Sequence, residues 1–390
     1  MFLNGPAPVR YSDPWAQSFA SRLAALSRGA PRVAYFYERP DTSTFRYRCF
    51  NMIESLGLAE PGIGAAWFSA EELEWADRII DRADTIVVCR ARYTPAFGRL
   101  IATARSRGRR VLFDVDDLIF DTRFTHMVMD TLDQNTTETD LDFWFGVMAR
   151  IGETMRLCDG VILTNDYLAR RATDFCGLPS WVVPNFLNGA QLDLSARIVE
   201  RKRASGWRRD QRIHLGYFSG TPSHNRDFAI IADTLAELLH RDRRLVLRIV
   251  GFLEPKGRLT GLADRLERFP LQDFINLQRL IGEVELNLVP LQDNTFTNCK
   301  SELKIFEAAI TGTISVASPS FTLKRAINEG ETGYLAPAYR WEEVLLRAID
   351  RLDDYARMAE AAVAAAEERY APTRQAKAIT DAVFGERARG

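Results

Sequence analysis

Short runs of β-branched and aromatic residues alternate with segments of helical period from one end of the chain to the other, the pattern of parallel α/β architecture. In the first half the predicted strands are 33–37, 63–68, 85–89, 110–113, 160–163 and 181–183. Helical patterns lie between them, near 47–55, 71–81, 95–107, 141–157 and 167–175. The stretch 187–210 interrupts the rhythm: it is polar and basic, with Arg197, Arg201, Lys202, Arg203, Arg208 and Arg209, and reads as a connection that carries a helix. A second series follows, with strands 213–218, 245–250, 284–289, 313–316 and a short one at 334–335. Its helices are predicted at 227–240, 274–280, 303–310, 323–328 and 341–352, and the Ala- and Glu-rich segment 353–369 is strongly helical in propensity. Pro372 breaks that segment, and a last helix runs to about 384. The expected fold is two doubly wound, Rossmann-like α/β domains, 1–190 and 211–371, joined by a linker at 191–210. A ligand is expected where the strand C-termini of the two sheets face each other across a cleft.

Composition narrows the function classes. At 390 residues, with 46% hydrophobic and 26% charged positions, the chain is an ordinary globular one with room for two cores. A net charge of −1 argues against nucleic acid as a main partner. The first twelve residues lack the basic start and apolar stretch of a signal peptide, and the five cysteines (Cys49, Cys89, Cys158, Cys176, Cys299) show no CxxC spacing. A cytoplasmic protein without structural zinc or a disulfide framework is therefore expected. From Arg78 to Arg110 the chain is rich in arginine, which reads either as a solvated helical face or as a basic surface for peripheral contact with anionic headgroups.

Candidate chemistry concentrates after the third strand of the second series. Two of the six lysines, Lys300 and Lys304, fall beside Ser301 at the start of a helix that carries Glu307 and breaks at Gly312. Cations and N–H groups at a helix start suit a diphosphate, and a carboxylate one turn later suits ribose hydroxyls. At the first strand exit of the same series, Ser219-Gly220-Thr221-Pro222-Ser223-His224-Asn225-Arg226-Asp227 reads either as a phosphate site built from Gly220, Thr221, His224 and Arg226 or as a turn whose Asn225 or Asp227 caps the next helix.

Taken together these elements resemble the GT-B glycosyltransferases of the retaining, family-4-like group. The matching residues are Ser219-Gly220-Thr221 with 224–227, Val289-Pro290-Leu291, Lys300-Ser301-Glu302-Leu303-Lys304, Glu307-Ala308 and Gly312, and Val182-Val183-Pro184-Asn185 in the first half. The resemblance implies that Glu307 binds the donor ribose as the second acid of an E-x7-E motif. Where the first acid would stand this chain has Cys299, like the subset that carries Lys-Ser-x-Leu-Lys. It also implies that the last helix, 372–386, returns to the first domain, and that a nucleoside diphosphate sugar is the donor, with no essential cofactor. A glycan or glycolipid is the implied acceptor. Magnesium is not expected to be required, because Lys300 and Arg226 supply charge for the leaving diphosphate.

The first half adds Asp114, Asp116, Asp117 and Asp121 at the exit of strand 110–113, which could bind magnesium, act as acid or base, or touch sugar hydroxyls. They also mimic the DxD box of haloacid-dehalogenase phosphatases, and a helix-capping cluster is the plain alternative. The glycosyltransferase resemblance favours Asp116 and Asp117 as catalytic residues at the sugar or acceptor, together with Lys300. After the first strand, Thr42, Ser43 and Thr44 offer hydroxyls while Arg46 and Arg48 suit an anionic acceptor; an N-cap followed by an exposed arginine face is the competing reading. Outside transferase chemistry, a non-catalytic sugar-nucleotide binder and a sugar-nucleotide epimerase fit the same fold.

Overall fold

The computed structural model describes residues 1–2, 5–131, 136–220 and 225–385. The described strands form two all-parallel, six-stranded sheets. The first comprises β1 (Arg32–Tyr37), β2 (Gly64–Ser69), β3 (Thr85–Cys89), β4 (Arg110–Val115), β5 (Gly160–Leu163) and β6 (Ser180–Val182), in the order β2-β1-β3-β4-β5-β6. The second comprises β7 (Ile213–Ser219), β8 (Leu245–Gly251), β9 (Leu266–Phe269), β10 (Leu286–Val289), β11 (Ile314–Ala317) and β12 (Gly333–Leu335), in the order β12-β11-β10-β7-β8-β9. Every residue of β3, β4 and β7 is buried, which is why these strands read as nearly continuous apolar runs. Alternate residues of β1 feed two cores: Ala34 and Phe36 join one face, Val33, Tyr35 and Tyr37 the other.

Each expected strand is present to within a few residues, and one was not foreseen. The edge strand β9, Leu266-Glu-Arg-Phe269, is half charged and only partly buried, so it carries no apolar signal. Its place is set by β8, against which it pairs in parallel, and by the Arg248–Glu267 ion pair at 2.7 Å.

The segment expected as a linker forms the helix Gly189–Ala204, started by a capping box between Asn188 and Gln191. Lys202 on this helix donates to the carbonyls of Thr311 and Gly312, at 2.8 and 3.3 Å, where the Glu307 helix has ended. Gly312 itself has φ +66°, a conformation that stops the helix and that a side chain would strain. The last helix, Pro372–Phe384, returns to the first domain: the Ser55 hydroxyl donates to the Pro372 carbonyl at 2.6 Å, and that of Thr85 to Val383 at 2.8 Å. The opening residues depart from the expected 1–190 grouping. Phe2 packs in the core of the second sheet, and Val9 exchanges hydrogen bonds with Asn276.

Strand order decides where a ligand can sit. Chain direction across each sheet reverses between β1 and β3 and between β7 and β10, and the loops leaving those strands part there to open a crevice. The loops concerned carry Thr44 and Arg90 in one sheet, and Gly220 and the 290–307 segment in the other.

Candidate functional site

Two adjoining cavities of about 420 and 430 Å³ occupy this region and share Ser43, Thr44, Asp116, Leu303 and Lys304. The first is bordered by Ser219, Gly220, Asn287 and Glu307, with Phe218, Leu271 and Phe274 as its apolar wall. The second is bordered by Arg90, Asp117, Asn185, Lys300 and Ser301. A third cavity of about 480 Å³, around Arg109, Asp159 and Trp181, shares none of these residues and none of the site residues expected from sequence.

On the second-sheet side the expected cluster comes together. The short helix Leu303–Ala309 presents Lys304 and Glu307 to the first cavity, while Lys300 and Ser301 precede it in the second. Burial pushes the Lys304 ammonium down to about 8, partly offset by Asp227, so it is a cation held at an energetic cost. The Ser301 hydroxyl is buried with no hydrogen-bond partner among the described residues, an unspent donor beside the two lysines. Lys300 Nζ lies 4.0 Å from Asp117 Oδ2, which ties the two sheets together across the cleft. Burial raises the Asp117 carboxyl, with Lys300 acting against the shift. Cys299, standing where a first acid was sought, is fully buried in the core of the first sheet and lines neither cavity.

On the first-sheet side the four carboxylates divide. Asp116 accepts from Arg90 Nη1 at 2.9 Å and from the Thr44 hydroxyl at 3.0 Å, and the same Arg90 nitrogen donates to Thr44 Oγ1 at 2.9 Å. Asp121 caps the turn that follows, accepting from the Arg123 backbone N–H at 3.1 Å. Asp114 is enclosed: Arg48 grips both its oxygens, at 2.7 and 2.9 Å. The phosphatase reading needs Asp114 as a free nucleophile beside Asp116, and this pairing removes it.

Several expectations are corrected. Arg48 does not face an acceptor: its guanidinium is fully buried, and its Nη1 donates to the Val183 carbonyl and to Asn185 Oδ1, at 2.8 and 3.1 Å. Arg46 is buried too; it borders the first cavity, where it forms a 3.2 Å ion pair with Glu307. The expected helix from 47 in fact begins with a π turn, Arg46–Phe50, along which Arg46, Tyr47, Arg48 and Cys49 are all buried, so no exposed arginine face exists there. Arg226 pairs with Asp130 at 3.1 Å and borders neither cavity. Thr221 and His224 lie outside the described residues. Much of the arginine-rich stretch is paired with acids: Arg92 with Glu38, Arg105 with Asp159, Arg107 with Asp77 and Asp81, Arg109 with Asp84. Among the described residues no helix is long and apolar enough to cross a membrane. Among the described residues one group of three potential metal ligands, Asp210, His214 and Glu285, lies near the start of β7, the opposite end from the cleft.

Sequence reasoning missed Arg90, which it counted among surface arginines. Its φ of +49° is rare for a residue with a side chain, and its ties to Asp116 and Thr44 hold it in that conformation. The available signal was its position, directly after the buried strand β3, at the end of a sheet where ligands bind.

Residues 212–354 match the protein family described as glycosyl transferases group 1. No curated protein matches the chain. Similar solved structures include HepE of Anabaena in complex with UDP and glucose, 13% identical with a TM-score of 0.60 over 91% of this chain and 99% of that one. Sucrose-phosphate synthase from Thermosynechococcus elongatus is 16% identical, with a TM-score of 0.57 over 90% of this chain and 97% of that one. WaaG, a glycosyltransferase involved in lipopolysaccharide biosynthesis, is 12% identical, with a TM-score of 0.57 over 91% of this chain and all of that one. Two facing six-stranded parallel sheets and these neighbours make the fold GT-B, and the family match falls on the second of the two sheets.

Proposed function

We propose that this chain transfers a sugar from a nucleoside diphosphate sugar to a hydroxyl of a glycan or glycolipid, with retention at the anomeric carbon. One observation carries the reading: a single cleft holds Lys300, Ser301, Lys304 and Glu307 at the switch point of one sheet, opposite Thr44, Asp116 and Asp117 from the other. The lysines and the Ser301 hydroxyl meet the charge that develops on the departing diphosphate, and Glu307 takes the ribose. Two protein cations perform the neutralisation that a metal would otherwise supply. Asp116, fixed by Arg90 and Thr44, orients the reacting sugar or the acceptor, and Asp117 stands beside Lys300 at the same junction. The departing diphosphate oxygen takes the proton of the incoming hydroxyl on the face it leaves, so the sugar never bonds to the protein. Catalysis then lies in positioning and charge stabilisation.

Thermal unfolding in the presence of UDP, GDP, ADP, dTDP and their sugars tests the reading, because a ligand of the folded state raises Tm. One nucleotide series is expected to do so. Glu307→Ala is expected to weaken that binding by about 1–3 kcal/mol, the scale of a lost charge-assisted hydrogen bond; unchanged affinity removes the ribose assignment. Release or transfer of sugar from the bound donor separates an enzyme from a binder that keeps only the site.

A further inference from the structure

The carboxylate of Glu307 is gripped by three side chains from two separate segments of the chain. Arg46 Nη2 at 3.2 Å, the Tyr47 hydroxyl at 2.5 Å and Gln191 Nε2 at 3.1 Å all donate to one oxygen, Oε1. Oε2 receives no hydrogen bond among the described residues and is not sealed from solvent. Two of the donors follow β1 in the first domain, and the third lies on the connecting helix. Arg46 is itself fixed: its guanidinium lies 4.0 Å from the centre of the Tyr47 ring and 4.7 Å from that of Phe274, and Nε donates to the Thr42 carbonyl at 2.9 Å. Gln278 completes the frame, donating to the Glu307 backbone carbonyl at 2.7 Å and accepting from Gln191 at 3.3 Å. Burial, with Glu307 nearby, raises the Tyr47 phenol well above its ordinary range, so it stays a donor at any working pH.

We propose that Arg46, Tyr47 and Gln191 are positioning residues that fill one oxygen of Glu307 and leave the other for the donor's ribose. An ionised carboxylate has about four acceptor sites, and three donors on Oε1 exhaust that atom. The ribose contact is thereby made through Oε2 alone, in an orientation set by the other domain. Arg46 thus serves the donor instead of the acceptor, and ribose recognition requires the two domains to be docked. This rests on the proposed ribose role of Glu307.

The test compares the affinity of the best-binding nucleoside diphosphate among UDP, GDP, ADP and dTDP with that of its 2′,3′-dideoxy counterpart. That ratio reads the sugar hydroxyls and nothing else. Glu307→Gln is expected to reduce it about tenfold. Tyr47→Phe keeps the ring and is expected to reduce the ratio roughly fivefold while dideoxy binding stays unchanged. Gln191→Leu is read the same way if the first variant fails to fold. A wild-type ratio in Tyr47→Phe and Gln191→Leu, beside a lowered one in Glu307→Gln, overturns the positioning role and leaves the transferase reading standing. Parallel loss of both affinities in Tyr47→Phe marks a structural role and equally overturns it. An unchanged ratio in Glu307→Gln, or no nucleotide binding at all, removes the parent reading and this one together.

Discussion

Asp114 and Asp116 stand two residues apart at the end of β4, and the fold uses them differently. Asp114 is still inside the strand, fully buried, and both its oxygens are taken by Arg48. Asp116 has left the strand; it borders the cleft and is steered, not enclosed, by Arg90 and Thr44. The same side chain is thus a structural anchor in one place and a candidate for chemistry two residues later. A carboxylate sealed from solvent, with each oxygen held by a buried arginine, is out of a substrate's reach. One partly exposed at a strand exit does.

The comparison fails most visibly if Asp114 proves dispensable. Asp114→Asn is expected to cost about 3–5 kcal/mol of stability, because it leaves the Arg48 charge buried without a counterion. Urea unfolding measures this, and a midpoint close to wild type breaks the contrast. Lys300→Ala should act the opposite way: nucleoside diphosphate binding falls by about 1–3 kcal/mol by calorimetry while the unfolding midpoint is retained.

A pH series sharpens the same distinction. Lys304 in the unliganded protein is pulled down to about 8, mainly by burial, and a diphosphate favours its charged form. Affinity is therefore expected to be full below pH 8 and to weaken as pH rises through 8 toward 10, by at most about 1.4 kcal/mol per unit. Lys304→Met should flatten that profile; a wild type without pH dependence removes Lys304 from the phosphate site. Stability moves the other way in the same window. The folded pKa lies below the unfolded one, so the cost of burying the charge is relieved as pH rises above 8. The smallest effect is expected at the surface. Arg107→Ala breaks pairs with Asp77 and Asp81 that are open to water, and should shift stability by less than about 1 kcal/mol.

Legibility followed the same divide. The expected strands were readable because strands covered on both faces are written as local apolar runs; β9 escaped because its position comes from its neighbour. Lys300, Lys304 and Glu307 were readable as a group because one helix start carries them. Arg46 and Arg48 were misread because two arginines flanking a tyrosine look like a solvated face, and the π turn that buries them has no sequence signature here. Arg90 was hidden inside an arginine-rich run in which Arg92, Arg105, Arg107 and Arg109 are surface partners of acids.

By itself the sequence determined two doubly wound sheets, their order along the chain, and the placing of two lysines and a carboxylate just beyond a strand of the second sheet. These are matters of local burial and local spacing, which a chain carries in its own pattern. Only the tertiary structure decided which charges are spent and which are available. Arg48 meets Asp114 across 66 positions, and Arg46 meets Glu307 across 261. No local pattern encodes pairings over such separations: the first exists only once β1 and β4 share a sheet, and the second only once the strand exits of both sheets have been brought face to face.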